Sequence, residues 1–180
     1  GDELVMSYRY TNIGIAYNIA GDYDEALDYY NRSIKIKEKF KDKSGIASTL
    51  NNIGHSYWFK GEYDKALNYL YLAGEKHESL FDFTHGIQCF ERVINIIEEK
   101  DPYMGTIQSE NLENTKNHPY KIYYQSQIGL SRIYLKTGKW DEAKLFLDKL
   151  LTQNIKNDTI SYFLHNNLGE YYNNKHIYKE

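Results

Sequence analysis

Apolar and polar positions alternate with helical spacing from the start of the chain. Tyr10, Ile13, Gly14 and Tyr17 stand at positions i, i+3, i+4 and i+7, which is the pattern of one buried face of an amphipathic helix. Gly21 follows, and glycine readily takes the left-handed conformation that ends a helix. The pattern therefore predicts a helix that ends just before Gly21.

A second helix is predicted directly after this turn. Asp22, Asp24 and Glu25 suit a helix N-terminus, where the dipole favours negative charge, and Ala26, Tyr30 and Ser33 continue the inward stripe. Because the residues at 14 and 26 are small, we expect the two helix backbones to approach closely there. The same turn signals recur at Gly61 and Gly138.

The pattern is also repeated in the residues themselves. Segments 12–29 and 52–69 are identical at ten of eighteen positions, a shift of 40 residues. Weaker copies begin at Leu130-Ser131 and at Leu168-Gly169. An intervening copy keeps the helical stripe at Phe90, Val93, Ile94 and Ile97 but has lost its glycine, so we interpret it as degenerate.

This spacing predicts a single array over residues 1–180. Its helix pairs are repeat 1 at about 4–40, repeat 2 at about 44–80, a degenerate repeat 3 at about 84–118, repeat 4 at about 121–154 and a partial repeat 5 at about 159–180. The second half of repeat 3 is polar and poorly periodic, and Pro102 and Pro119 interrupt helices. We therefore expect 101–120 to be a weak point of the array.

The residues at these positions resemble a known repeat family. An aromatic residue, an aliphatic-Gly pair, Tyr and Ala recur as Tyr10-x-x-Ile13-Gly14-x-x-Tyr17 with Ala26, and as Leu50-x-x-Ile53-Gly54-x-x-Tyr57 with Ala66. This is similar to the tetratricopeptide repeat (TPR), in its longer variety of kinesin light chains and of bacterial peptide-sensing and signalling proteins. The resemblance implies an all-α, right-handed α-solenoid of antiparallel helix pairs.

Composition narrows the classes of function. The chain has 22 Lys+Arg against 25 Asp+Glu, a net charge of −3, which argues against nucleic-acid binding through bulk charge. There are 19 Tyr and only 2 Pro, which favours long helices packed by tyrosine. The start of the chain lacks the features of a signal peptide, and no apolar run is long enough to span a membrane. We expect a cytoplasmic protein, or a periplasmic one if it belongs to a membrane sensor.

Signals of catalysis or metal binding are weak. His85 and the lone cysteine, Cys89, are four residues apart, but no third group to orient them is evident. We interpret them as a buried thiol beside a histidine near a helix N-terminus. The six histidines include no H-x-x-x-H pair, and phosphate-binding and nucleophile-elbow motifs are missing. We therefore expect no enzyme activity, cofactor or metal.

A polar stripe beside the packing face is the candidate binding site. In TPR arrays the corresponding face of each first helix lines the concave groove, and an asparagine before the aliphatic-Gly pair commonly holds the backbone of an extended peptide. The resemblance assigns this role to Asn12, Asn52 and Asn167, although asparagine could also be merely tolerated on an exposed face. The groove candidates are Tyr8, Asn12, Asn51, Asn52, His55, Phe59, Arg92, Asn95, Arg132, Lys136, Asn166 and Asn167.

These observations predict a scaffold that binds a protein or an extended peptide, as part of a larger bacterial signalling or regulatory protein. The partner is expected to be neither nucleic acid nor membrane. One alternative is the ligand-sensing domain of a transcriptional regulator or sensor kinase. Another is a structural scaffold that self-associates through an open end at 161–180, where the last repeat is incomplete.

Overall fold

The computed structural model describes residues 2–100, 119–153 and 158–177, and these residues form α-helices joined by short turns. The expected all-α fold is confirmed, because no strand occurs in these ranges. Most of the segment expected to be weak, 101–118, lies outside them. The helices are α1 (Asp2–Ala20), α2 (Tyr23–Lys39), α3 (Lys43–Phe59), α4 (Tyr63–Ser79), α5 (Phe83–Lys100), α6 (Pro119–Lys136), α7 (Trp140–Thr152) and α8 (Asp158–Ile177).

The chain divides into two compact units, an N-terminal unit of residues 1–89 and a C-terminal unit of residues 90–180. The boundary falls inside α5, so that Cys89 belongs to the first unit and Phe90 to the second. Within each unit, helices that follow one another in the chain pack together, as in a helical-repeat solenoid. The finer division into five repeats stays a prediction.

The core of the N-terminal unit lies between successive helices. Ala26, Leu27 and Tyr30 of α2 pack with Ile53 of α3, and all four are buried. Around this cluster, equivalent tyrosines form stacked ring pairs, which are Tyr17 with Tyr29 at a centroid distance of 5.4 Å and Tyr57 with Tyr69 at 5.4 Å. The tyrosines at these positions therefore pack helix against helix.

The glycine turns have the conformation that the sequence predicts. Gly21, Gly61 and Gly138 have φ values of 91°, 81° and 74°. In the first of these turns, Asp22 N donates to Tyr17 O at 3.0 Å, and the equivalent bond from Glu62 N to Tyr57 O is 2.9 Å. These bonds close a Schellman motif, which satisfies carbonyls at the helix end and reverses the chain.

The turns before α3 and α5 use the same geometry without glycine. Lys41 and Phe81 have φ values of 56° and 60°, a conformation that L-residues rarely adopt. Asp42 N donates to Lys37 O at 2.9 Å, and Asp82 N donates to His77 O at 3.0 Å. Each turn thus holds an aspartate beside the residue five positions before it.

One sequence expectation about packing is wrong, and one repeat position differs from its equivalent. Ile13 was expected to be buried but is 38% exposed, whereas its equivalent Ile53 is 1% exposed. Ile53 packs against the preceding α2, and no described helix precedes α1. Gly169 stands at the repeat position of Gly14, yet a Cβ atom placed on it would meet nothing within 4 Å. In the described residues, no helix packs against that side of α8.

In the C-terminal unit, α6 packs against both α7 and α8. Helix α6 also approaches α5 closely at Gly129, where a Cβ atom would stand 2.6 Å from the Phe90 ring. A polar contact joins α5, α6 and α7, because Tyr123 Oη donates to Glu98 Oε1 at 2.7 Å and Lys149 Nζ to the same oxygen at 3.0 Å. None of the described helices combines the length and apolar character needed to cross a membrane.

Candidate functional site

The groove candidates of the N-terminal unit lie on two helices that touch each other. Tyr8 and Asn12 belong to α1, and Asn51, Asn52, His55 and Phe59 belong to α3. Ser56 Oγ of α3 donates to Asn18 Oδ1 of α1 at 2.7 Å, which ties the two helices together. We call the surface that carries Asn12, Ile15, Ile19, Asn52, His55 and Phe59 the α1–α3 face.

The α1–α3 face combines amides with exposed apolar side chains. Asn12, Ile15 and Ile19 follow one another at i, i+3 and i+7, as Asn52, His55 and Phe59 do on α3, so each set shares one side of its helix. Ile19 is 81% exposed and Phe59 is 55% exposed. The Phe59 ring stacks on Tyr23 at a centroid distance of 6.0 Å, so that it is supported from within the unit.

The asparagines of the N-terminal unit differ in how their amides are used. Asn18 Oδ1 accepts a hydrogen bond from Ser56, and Asn51 Oδ1 accepts one from Cys89 Sγ at 3.5 Å. The side-chain amides of Asn12 and Asn52 make no hydrogen bond to another described residue. Asn12 is exposed and Asn52 half-buried, so both amides can meet a ligand.

Residues 5–73 match the family model of the tetratricopeptide repeat. This part of the chain therefore consists of tetratricopeptide repeats. The matched segment contains the whole α1–α3 face together with α2, which packs behind it. No curated protein matches the chain. TPR repeats in general mediate protein–protein interaction or scaffolding, which fits a surface built of amides and apolar side chains.

Tyr8, within the TPR segment, is held against the turn between α2 and α3. Its hydroxyl donates to Asp42 Oδ2 at 2.6 Å, and its ring lies 4.6 Å from Lys37 Nζ. The hydrogen bond to Asp42 raises the pKa of the Tyr8 hydroxyl, and slight burial adds to this shift. Tyr8 therefore borders the α1–α3 face with its hydroxyl already engaged.

Sequence reasoning missed the buried Lys37. Its side chain is 1% exposed, and Nζ donates to Thr11 Oγ1 at 2.9 Å and to Thr49 Oγ1 at 2.8 Å. Burial lowers the pKa of the Lys37 amine, while the charge of Asp42 opposes this shift. Lys37 thus joins α1, α2 and α3 through hydroxyl groups and fixes the helices that carry the face. Its spacing from Tyr30 and Ser33 continues the inward stripe of α2, and this is the signal in the sequence that could have identified it.

The remaining groove candidates belong to the C-terminal unit. Arg92 and Asn95 lie on α5, Arg132 and Lys136 are one turn apart on α6, and Asn166 and Asn167 lie on α8. Asn95, Lys136 and Asn166 are exposed, whereas Arg92 and Arg132 are half-buried. All three cations already take part in hydrogen-bonding or electrostatic interactions within the chain.

Asn167 is placed differently from the other asparagines. It is 4% exposed, and Nδ2 donates to Ile128 O at 3.1 Å and to Ser131 Oγ at 2.8 Å. Because α8 packs on α6, the amide that was expected to face a ligand joins these helices instead. We therefore correct its assignment, and Asn167 is left out of the binding face.

His85 and Cys89 do not form a reactive pair in the structure. Cys89 is buried, and burial, with a smaller contribution from the charge of Asp82, raises the pKa of its thiol to about 12. Nδ1 of His85 lies beside Asp82 and not beside the thiol. A protonated thiol is a poor nucleophile. Cys89 is a packing residue, in the cluster it forms with Leu50 and Ala73.

Proposed function

We propose that this TPR protein binds an extended segment of a protein partner on the α1–α3 face. The main support for the proposal is that the asparagines of the N-terminal unit differ in their side-chain hydrogen bonds. The amides of Asn12 and Asn52 are free of bonds to other described residues, whereas those of Asn18 and Asn51 are used inside the unit. An amide donates to a carbonyl and accepts from an N–H at the same time, so two of them can hold a peptide backbone.

The apolar part of the face suggests what accompanies that backbone. Ile15, Ile19 and Phe59 are exposed beside the two amides. Aromatic and aliphatic anchors in such surroundings supply much of the affinity of protein interfaces. We therefore expect the partner segment to place an apolar side chain next to the backbone held by Asn12 and Asn52.

We also propose the setting of a larger bacterial signalling or regulatory protein. This rests on the resemblance of the sequence to long-period TPR proteins of that kind. The role assigned to the face is recognition, without chemistry of its own.

Peptides selected from a random library on the parent chain test the proposal. Asn52→Ala should weaken every selected peptide by roughly 3- to 10-fold, because a hydrogen bond is worth about 0.5–1.5 kcal/mol. Asn12→Ala should act in the same way. The matched control is Asn31→Ala, at an exposed position of α2. Equal affinities for parent, Asn12→Ala and Asn52→Ala would contradict the proposal, provided that circular dichroism shows all variants folded.

A further inference from the structure

Two histidines and an aspartate meet at the turn between α4 and α5. His77 Nδ1 lies 3.0 Å from Asp82 Oδ2, and His85 Nδ1 lies 2.9 Å from both oxygens of the same carboxylate. The two imidazole rings face each other at a centroid distance of 5.2 Å. His77 is buried, whereas the side chain of His85 is 61% exposed, so the cluster opens to solvent on one side.

The chain geometry of the turn explains why these three residues meet. The left-handed Phe81 and the bond from Asp82 N to His77 O bring Asp82 back beside the last turn of α4. His85 follows three residues later in the first turn of α5, and residues three apart on a helix are neighbours. The cluster is thus formed by the last turn of α4, the connecting turn and the first turn of α5.

The preceding turn, 40 residues earlier, offers an internal comparison. There Lys37, Asp42 and Gly45 stand in the places of His77, Asp82 and His85. Asp42 Oδ1 accepts from Gly45 N at 2.9 Å, so its carboxylate caps α3. A Cβ atom on Gly45 would collide with Asp42 Oδ2, which shows how closely that carboxylate covers the helix end.

The carboxylate of Asp82 makes different contacts from that of Asp42. Its bond from His85 N is 3.4 Å, longer than the matching bond in the other turn, while its contacts to the imidazoles are 2.9–3.0 Å. Asp82 therefore contacts the imidazoles more closely than it caps α5. In addition, the amine of Lys37 in the earlier turn bonds to threonine hydroxyls. In the later turn, its equivalent His77 places a ring nitrogen against the carboxylate of Asp82.

We propose that His77, Asp82 and His85 bind a divalent transition-metal ion of the Zn²⁺ class. The candidate ligand atoms all lie within 4.8 Å of one another. With bonds of about 2.0–2.2 Å, two ligands of one tetrahedral Zn²⁺ ion stand roughly 3.3–3.6 Å apart. The present donor separations of 2.9–3.0 Å to the carboxylate are close to this spacing, so binding requires small adjustments of the Asp82 and His85 side chains, and the fourth position is left for water.

Imidazole and carboxylate together suit Zn²⁺ and its neighbours rather than Mg²⁺ or Ca²⁺, which prefer oxygen ligands. The ion takes the Nδ1 lone pair of each ring, so a neutral imidazole keeps its single proton on Nε2, and only an imidazolium gives a proton up to solvent. The sequence search for paired histidines did not find this site, because its ligands come from two helices and are joined through a turn.

Titration of the metal-free full chain with ZnCl₂ by calorimetry tests this proposal, and it does not depend on peptide binding. We expect saturable binding of a single ion. His85→Gln should weaken it by roughly 100-fold or more, because loss of even an outer partner of a ligand costs about 10- to 100-fold. Asp82→Asn should act similarly. His165→Gln is the control, since that exposed histidine bonds to the carbonyl of Ser161 and should leave affinity unchanged.

Two further readouts keep the test decisive. Co²⁺ should give visible absorption bands typical of a low-coordinate site in the parent and in His165→Gln, but not in His85→Gln. Zn²⁺ should raise the melting temperature of the parent and not that of His85→Gln. Because the His85 side chain is mostly exposed, this variant should fold. Failure of the parent to bind Zn²⁺ up to millimolar concentration, or equal binding by parent and His85→Gln, would overturn the proposal.

Discussion

Gly54 lies directly against Leu70. A Cβ atom placed on Gly54 would stand 2.7 Å from Leu70 Cγ and 3.2 Å from Leu70 N, distances at which something must shift. The repeat therefore needs glycine at this position for the reason that its sequence suggested, since α3 and α4 approach too closely for a side chain. Gly14 has the same relation to the Tyr30 ring, at 2.6 Å.

The first prediction concerns this contact. Gly54→Leu should lower the free energy of unfolding by about 2–4 kcal/mol, because the added side chain overpacks the joint between α3 and α4. Gly169→Leu is the matched control, since no described atom lies within 4 Å of its Cβ position, and it should leave stability unchanged or raise it by up to about 1 kcal/mol through helix propensity. Urea denaturation of both variants measures the difference. Overlapping curves for Gly54→Leu and the parent would refute the assigned packing.

The second prediction concerns stability at alkaline pH. Burial raises the pKa of the Tyr30 hydroxyl to about 12, although a hydrogen bond with Ser56 lowers it somewhat. Its pKa in the unfolded chain is lower, so between about pH 10 and 12 the folded state binds more protons than the unfolded state. The stability that Tyr30 contributes is therefore complete below about pH 10 and is lost as the pH rises towards 12.

Urea denaturation near pH 8 and near pH 11 checks this second prediction. Tyr30→Phe should reduce the alkaline loss of stability by on the order of 1–2 kcal/mol, because it removes one buried titrating group. Tyr162→Phe, at an exposed tyrosine of α8, should leave the loss unchanged. If Tyr30→Phe and the parent lose stability equally between the two pH values, the assignment of a buried hydroxyl at position 30 is wrong.

Much of the fold could be predicted because the apolar spacing and the turn glycines indicate the same helix boundaries. The apolar spacing of α1 and α3, and the glycines at 21, 61 and 138, point to the same helix ends that the structure has. The left-handed turns at Lys41 and Phe81 could not be predicted in this way. Nothing in a lysine or a phenylalanine favours that conformation, and the packing of the flanking helices imposes it.

The candidate site was only partly predictable for a related reason. The helical wheel places Asn12, Asn52 and Asn167 in one equivalent row, but equivalence in sequence does not fix what packs against each position. Asn12 is exposed on α1, whereas Asn167 is covered where α8 meets α6. The cluster of His77, Asp82 and His85 depends on the path of a turn, which helical periodicity does not describe.

The third prediction tests the structural role of Asn167. Asn167→Ala leaves Ile128 O and Ser131 Oγ without this buried donor, so it should cost about 1–3 kcal/mol of stability. Its neighbour Asn166 is exposed, and Asn166→Ala should be within about 0.5 kcal/mol of the parent. Thermal or urea denaturation of the two variants provides the measurement. Equal stability of Asn166→Ala and Asn167→Ala would mean that the buried amide bonds contribute nothing.

The fourth prediction concerns the charge of the partner. Arg92, Arg132 and Lys136 place three cations among the candidates of the C-terminal unit, so we expect some selected peptides to carry acidic residues. Arg132→Glu should weaken acidic peptides by roughly 10-fold, because a charge-assisted contact is worth about 1.5–3 kcal/mol when desolvated and less when exposed. Neutral peptides should be affected little by this change.

The control for the charge experiment is Arg32→Glu. Arg32 is an exposed residue of α2 that pairs with Asp28 at 2.7 Å, so the variant makes the same change in net charge away from the candidate residues. If Arg132→Glu and Arg32→Glu weaken the binding of acidic peptides equally, the loss of affinity comes from the overall charge of the protein. Arg132 then does not contact the peptide. Binding measured at two salt concentrations separates the cases further, since long-range attraction is screened and a desolvated contact much less.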